Sequence, residues 1–168
     1  DNLGRDREST KALVNEVLGE VGLERYQNTW PKYLSKGERQ RLSMGAIITM
    51  DPEVVIVDEP TTGQDWRETL WIMDLLKKLN DRGKTILIIT HNMEIVCRYC
   101  NRAVVMRNGN ILLDGAPRSV FTEVETLKTA YIEPTDITKI AQALPYMPDD
   151  VLSVQEFYDC FTAIRKEA

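Results

Sequence analysis

Histidine, cysteine and long apolar runs are scarce in this chain, and each scarcity removes a class of protein. Three cysteines, Cys97, Cys100 and Cys160, are too few and odd in number for a disulfide framework, which points to reduced thiols. A Cys97-Arg-Tyr-Cys100 pair on a helix suggests zinc, but His91 is the only histidine and no second pair completes four ligands, so two half-buried thiols are the expected reading. The longest apolar runs, such as Val54 to Val57 and Ile86 to Ile89, are strand-sized. They fall far short of the roughly 20 residues needed to span a bilayer, so no segment is expected to cross a membrane. The polar stretch Asp1 to Arg7 has no secretory character, and a cytoplasmic setting is expected. Positive charge is also in deficit: 21 Lys and Arg face 26 Asp and Glu, a net charge of −5, so general affinity for nucleic acid or anionic lipid has no support. Membrane contact would have to come through a partner. There are neither internal repeats nor low-complexity tracts.

What is present is the composition of a globular protein with a core, 43% apolar and 28% charged over 168 residues, enough for one ordinary domain of about 100–200 residues. The chain lacks an initiator Met and reads as a piece of a longer one. Leu13, Val17, Leu18 and Val21 recur at helical spacing, with Gly19 and Gly22 marking an end. Pro31 breaks the chain, and Ser35-Lys-Gly-Glu38 has capping-box form, predicting a helix to about Thr49. Val54 to Asp58 is an unbroken β-branched run, read as a strand buried on both faces, as in parallel sheets. Asp65 to Glu68 repeats the capping-box pattern ahead of Leu70, Ile72, Met73, Leu75, Leu76 and Leu79, and Thr85 to Thr90 is the next buried strand. Strand, helix and strand make a βαβ unit. A short helix from about Asn92 to Tyr99 leads to Ala103–Met106, and Asn108-Gly109 signals a type I′ hairpin returning through Ile111–Leu113, an antiparallel edge for the sheet. The tail is helical again, with Ser153-Val-Gln-Glu156 capping a last helix through Phe157, Phe161 and Ile164.

Ligands of open α/β sheets bind beyond the carboxyl ends of strands, where Asp58-Glu59 and Thr90-His91 are expected as near neighbours. An acidic pair there suits phosphoryl chemistry: Asp58 holds a magnesium ion through its water and Glu59 polarises an attacking water. His91 can donate to a terminal phosphate. Gly37 opens a helix start to an anion. Taken singly, each also fits an ordinary strand exit, helix-start residue or N-cap.

In this order the segments resemble the second half of an ATP-binding cassette (ABC) ATPase. Leu34-Ser-Lys-Gly-Glu38 is similar to the signature loop, Val54–Glu59 to the Walker B strand with its catalytic Glu, Thr62-Gly-Gln-Asp65 to the D-loop, and His91 to the switch histidine. The resemblance runs from about Leu18 to Val120. The stretch Asp114 to Phe121 resembles the sequence after the hairpin in importer ATPases, and Ile132 to Leu144 resembles the tail of energy-coupling-factor and cobalt-type subunits. It implies an α/β, partial P-loop NTPase fold, parallel strands with flanking helices, an antiparallel edge hairpin and a C-terminal helical tail. The expected divisions are 1–121 for the ATPase part, with a signature region to about residue 50 and the core from about 51, and 122–168 for the tail. The tail is either a regulatory or dimer-forming module or simply packs on the sheet domain.

The resemblance also implies ATP and Mg2+ as ligands. The site residues are Glu59 and His91 for catalysis, Ser35, Lys36, Gly37, Glu38 and Asp65 at the nucleotide, and Asp58 at the metal. Implied partners are a second ABC ATPase subunit and transmembrane transporter subunits, with no nucleic acid. The expected function is the ATP-hydrolysing subunit of an importer of a metal ion or vitamin, at the inner face of the membrane. Rival readings are a soluble ABC protein working on ribosomes or DNA, and a non-catalytic interaction module. Three departures stand out. Lys36 replaces the first signature glycine and Glu38 the usual Gln, leaving Ser35 and Gly37 as the expected phosphate contacts. Gln64 replaces an aliphatic D-loop residue, which puts the packing of that loop in doubt. Nothing here matches Gly-x-x-x-x-Gly-Lys-Ser/Thr, the loop that cradles the phosphates, so the chain is expected to be catalytically incomplete alone.

Overall fold

The computed structural model describes Gly4 and residues 6–167; residues 1–3 and 5, part of the polar stretch 1–7, and Ala168 lie outside the described residues. The chain divides into two compact units, Asp1–Ile89 and Thr90–Ala168.

In the first unit, helix α1 (Arg7–Glu20) starts at Asp6, whose carboxylate accepts the N–H groups of Glu8 at 2.9 Å and Ser9 at 2.8 Å. Gly22, at φ +66°, follows its end as the spacing predicts. Two short 3-10 turns, Glu24–Tyr26 and Pro31–Tyr33, lead to α2 (Lys36–Ile48), where the expected capping box is complete. A Cβ on Gly45 would stand 3.3 Å from Val17 Cγ1, so the glycine is what lets α1 and α2 approach. Strand β1 (Val54–Asp58), helix α3 (Trp66–Asp81) and strand β2 (Thr85–Ile89) then form the βαβ unit. The two strands pair in parallel from Val54 opposite Thr85 to Asp58 opposite Ile89. Helix α3 buries Ile72, Met73, Leu75, Leu76 and Leu79, a stripe worth about 1.5–3 kcal/mol per fully buried side chain.

The strands depart from expectation in one respect. Val55 is buried, but Val54, Ile56, Leu87 and Ile89 are 54%, 62%, 48% and 51% exposed. An unbroken apolar run promises cover on both faces, yet among the described residues only one face of the β1–β2 pair is covered. The other presents four aliphatic side chains to solvent.

In the second unit, α4 (Met93–Tyr99) is capped by Asn92, which accepts from Glu94 N and Ile95 N. Strands β3 (Ala103–Arg107) and β4 (Asn110–Gly115) are joined by Asn108 and Gly109 at φ +50° and +76°, as the Asn-Gly turn requires. As expected the two strands pair antiparallel, from Ala103 opposite Gly115 to Arg107 opposite Asn110. Side-chain packing supports the ladder: Val105 joins Val120 and Phe121 of α5 (Pro117–Thr122) and Leu127 of α6 (Val124–Thr129) in one apolar cluster. Helices α7 (Asp136–Ala143) and α8 (Val154–Glu167) close a second cluster over Ala141, Met147 and Val151. Fully buried Thr138 is satisfied there by donating to Val151 O at 2.7 Å. Ser153 caps α8 as predicted, accepting Glu156 N at 3.1 Å, while the Glu156 carboxylate takes Leu152 N at 2.9 Å and Arg118 at 2.8 Å. No helix among the described residues is long and apolar enough to cross a membrane.

Candidate functional site

The start of α2 carries the signature segment. Ser35 Oγ accepts Glu38 N at 3.3 Å and the Glu38 carboxylate accepts Ser35 N at 2.8 Å. These bonds use two of the free donors of the first turn and leave the N–H groups of Lys36 and Gly37 as the donors available to an anion. The Glu38 carboxyl is held down to about 2, first by a hydrogen bond from the Tyr26 hydroxyl and then by Ser35, with Arg25 3.7 Å away. Glu38 is therefore an ionised cap at any physiological pH. Gly37 has little spare room, because a Cβ there would lie 3.5 Å from the Glu68 carboxyl carbon.

The exit of β1 carries the acidic pair. Asp58 is exposed at the carboxyl end of the strand, opposite Ile89. Glu59 is half-buried and adopts φ +45°, a left-handed conformation that is unfavourable for a side-chain-bearing residue and persists only where surroundings impose it. Three bonds hold it: its N–H donates to Ile89 O at 2.9 Å, its carbonyl accepts Thr62 N at 3.2 Å, and its carboxylate accepts Thr62 Oγ1 at 3.0 Å. Pro60 and Thr61 turn inward and are buried, Gly63 takes φ +71°, and Asp65 ends the turn by capping α3 through Glu68 N at 2.8 Å.

Side chains of α2 join these two segments. Lys36 Nζ donates to Gly63 O at 3.1 Å. The Gln40 amide nitrogen donates to Pro60 O, and its oxygen accepts the Gln64 amide. Arg41 makes a two-pronged pair with Glu68 at 2.6 and 2.5 Å and lies over the Trp71 ring at 4.3 Å, and the carboxylate raises its affinity for its proton. Glu68 thus faces Arg41, and the second half of the box expected at Asp65–Glu68 is not formed.

All three unusual residues have partners: Lys36 donates to Gly63 O, Glu38 caps α2 at Ser35 N, and Gln64 donates to Gln40. The motif reading missed Gln40, Arg41 and Glu68. The i, i+4 spacing of Lys36 and Gln40 on α2 was the available signal that both face one partner.

In the second unit, His91 is exposed and precedes α4, and Asn92 N donates to Thr90 Oγ1 at 3.0 Å. Burial pushes the Cys97 thiol up to about 11 and that of Cys100 upward as well, so neither is poised as a thiolate.

A profile of the ABC transporter family matches residues 2–62. The energy-coupling factor transporter ATP-binding protein EcfA of Methanocaldococcus jannaschii is 38% identical over 143 residues, 85% of this chain and 51% of that protein. EcfA of Methanococcus maripaludis is 32% identical over 94% of this chain and 56% of its own length. The structure of cbiO1 from Clostridium perfringens, part of the ABC transporter complex cbiONQ, matches with a TM-score of 0.65 at 33% identity over 76% of this chain and 51% of that one. An ATP-binding cassette of an ABC transporter in its ADP conformation shares the fold with a TM-score of 0.68.

The fold is that of part of an ABC ATPase, with a parallel βαβ unit and an antiparallel hairpin. In sequence the chain is a relative of the ATP-binding proteins of ABC transporters, the energy-coupling-factor type among them. It spans between 25% and 56% of the length of the curated relatives it matches.

Proposed function

We propose that this chain is the C-terminal part of a transport ATPase that closes on ATP and magnesium between two subunits. The N–H groups of Lys36 and Gly37 cover the terminal phosphate of a nucleotide held by the partner, where the helix dipole favours the negative charge. At the second nucleotide, held on this subunit's own side, Glu59 orients and deprotonates the attacking water and His91 donates to the terminal phosphate, while Asp65 holds the start of α3 beside the turn. Asp58 is a hard oxygen donor at the exposed end of β1, which suits magnesium; the ion, when bound, neutralises phosphate charge.

The observation that carries this reading is the link between the signature helix and the turn after Glu59, which holds the covering group and the acidic group in one unit. The bare face of the β1–β2 pair supports a further chain segment packing over it, which we read as the part that supplies the phosphate loop. The likeness to EcfA and cbiO1 supports an importer of a metal ion or vitamin, with transmembrane partners holding it at the inner face of the membrane.

The test is Glu59→Gln in the complete subunit. Nucleotide binding should persist while hydrolysis falls by a factor of roughly 100 or more, as for loss of a general base. Asp58→Asn should instead weaken magnesium-dependent binding. Hydrolysis at the parent rate in the Gln variant would remove Glu59 from this role. A magnesium-ATP dissociation constant in the micromolar range for the 168-residue chain alone would overturn its incompleteness.

A further inference from the structure

We propose that Gln40 is a positioning residue for Glu59: one side chain of α2 grips the turn after β1 at both ends and holds Glu59 in its left-handed conformation. Within the turn from Glu59 to Asp65, Thr62 N donates to Glu59 O and Gln64 N to Thr61 O, each at 3.2 Å, and Thr62 Oγ1 donates to the Glu59 carboxylate at 3.0 Å. Two left-handed residues, Glu59 at φ +45° and Gly63 at φ +71°, bend it. Only the second is a glycine, so the strain sits at the residue that carries the carboxylate.

Gln40 meets both halves of this turn. Its amide nitrogen takes the carbonyl of Pro60, the residue next to Glu59, and its amide oxygen takes the side chain of Gln64, the residue next to Asp65. Lys36, one helical turn earlier, takes Gly63 O between them. Proline fixes φ at Pro60 and has no N–H, so its backbone hydrogen bonding is through its carbonyl, the atom Gln40 holds. Gln is suited to this place because it offers a donor and an acceptor on one rigid amide. A movement of the signature helix therefore reaches the residue next to Glu59 directly through Gln40. The grip stands on the geometry alone; its consequence for hydrolysis rests on the reading given under Proposed function.

The grip is tested in the 168-residue chain by amide hydrogen exchange at Thr62 and Gln64. Gln40→Met keeps the length and removes both bonds. Each bond contributes about 0.5–1.5 kcal/mol, so exchange at the two amides should quicken about tenfold, with Leu75 and Leu76 in α3 unchanged. Gln40→Lys, which restores a donor to Pro60 O, should recover most of the protection. Unchanged exchange at the turn in a folded Gln40→Met chain would overturn the proposal. Should that variant fail to fold, Gln64→Leu removes one of the two bonds and must quicken exchange at the same amides.

In the complete subunit, Gln40→Met should lower kcat about tenfold with KM for ATP unchanged, and Gln40→Lys should restore it. A rise in KM alone, or no change, would overturn the positioning role. A parent subunit without ATPase activity would overturn the function proposed above, while the exchange result would still decide the grip.

Discussion

Of the turns that bend through left-handed residues, the hairpin turn and the turn after β1 are held by opposite means. The hairpin turn at Asn108 and Gly109 uses the residue types that tolerate positive φ, and neither needs a distant partner to do so. A Cβ on Gly109 would meet nothing within 4 Å. The turn from Glu59 to Asp65 puts a glutamate at φ +45° and is held by Lys36 and Gln40 from a helix about 20 residues away in sequence. A turn that only has to reverse the chain can be built from local chemistry. A turn that presents a carboxylate in an unfavoured backbone conformation must be held from outside.

The largest expected effect separates turn from core in the hairpin. Phe121→Ala, at a residue 1% exposed, should cost the second unit about 3–5 kcal/mol, seen as lost exchange protection across β3 and β4. Protection at the parent level would mean that the Asn-Gly turn and the ladder suffice alone.

Next comes a direct contest between the two glycines. Gly109→Ala should cost about 1–2 kcal/mol from positive φ alone. Gly63→Ala should cost more, about 2–3 kcal/mol, because its Cβ would stand 2.5 Å from Lys36 Nζ and break the bond to Gly63 O. All three tryptophans, Trp30, Trp66 and Trp71, lie in the first unit, so tryptophan fluorescence in a urea titration reports the Gly63 variant there. In a Lys36→Ala background the excess at Gly63 should vanish; equal costs in the parent would show that Lys36 does not hold the turn.

A smaller effect follows from Glu38, whose carboxyl is held from 4.5 down to about 2 in the folded state. A depressed carboxyl contributes stability that is complete above its unfolded value and lost as pH falls toward its folded one. The first unit should therefore weaken between about pH 5 and pH 2, and Glu38→Gln should remove that share of the decline in urea midpoints. Tyr26→Phe should raise the Glu38 titration midpoint, followed by NMR, since the Tyr26 hydroxyl is its largest support. No rise would assign the depression to Ser35 alone.

The smallest effect is expected at Lys77, an exposed i, i+4 partner of Asp81 on α3, where Ala should change stability by no more than about 0.5 kcal/mol. A larger change there would blur every comparison above.

Much of the fold was legible because it rests on local rules. Ser35 and Glu38 announced the capping box, Val54–Asp58 and Thr85–Ile89 announced strands, and Asn108-Gly109 announced the turn between β3 and β4. What misled was equally physical. An apolar run reports what a strand would like to bury, not what covers it, and so Ile56 and Leu87 stand exposed. Glu68 satisfied a capping pattern on paper, but a guanidinium within reach offers two charge-assisted bonds, and Arg41 took it. Gly45 carried no periodic signal at all, since its role is to be absent where α1 meets α2.

The sequence by itself determined most of the helices, strands and turns, where α2, α3 and α8 begin, and which short motifs carry acid, amide donors and imidazole. These depend on side chains within a few residues of one another, where spacing alone decides what can meet. Only the tertiary structure decided that Lys36 reaches Gly63, that Gln40 spans Pro60 and Gln64, and that Glu59 is held in a left-handed conformation. The contacts of Lys36 and Gln40 join residues 20 to 27 positions apart, and their partners are fixed by how α2 lies against the turn after β1, a placement that no local rule contains.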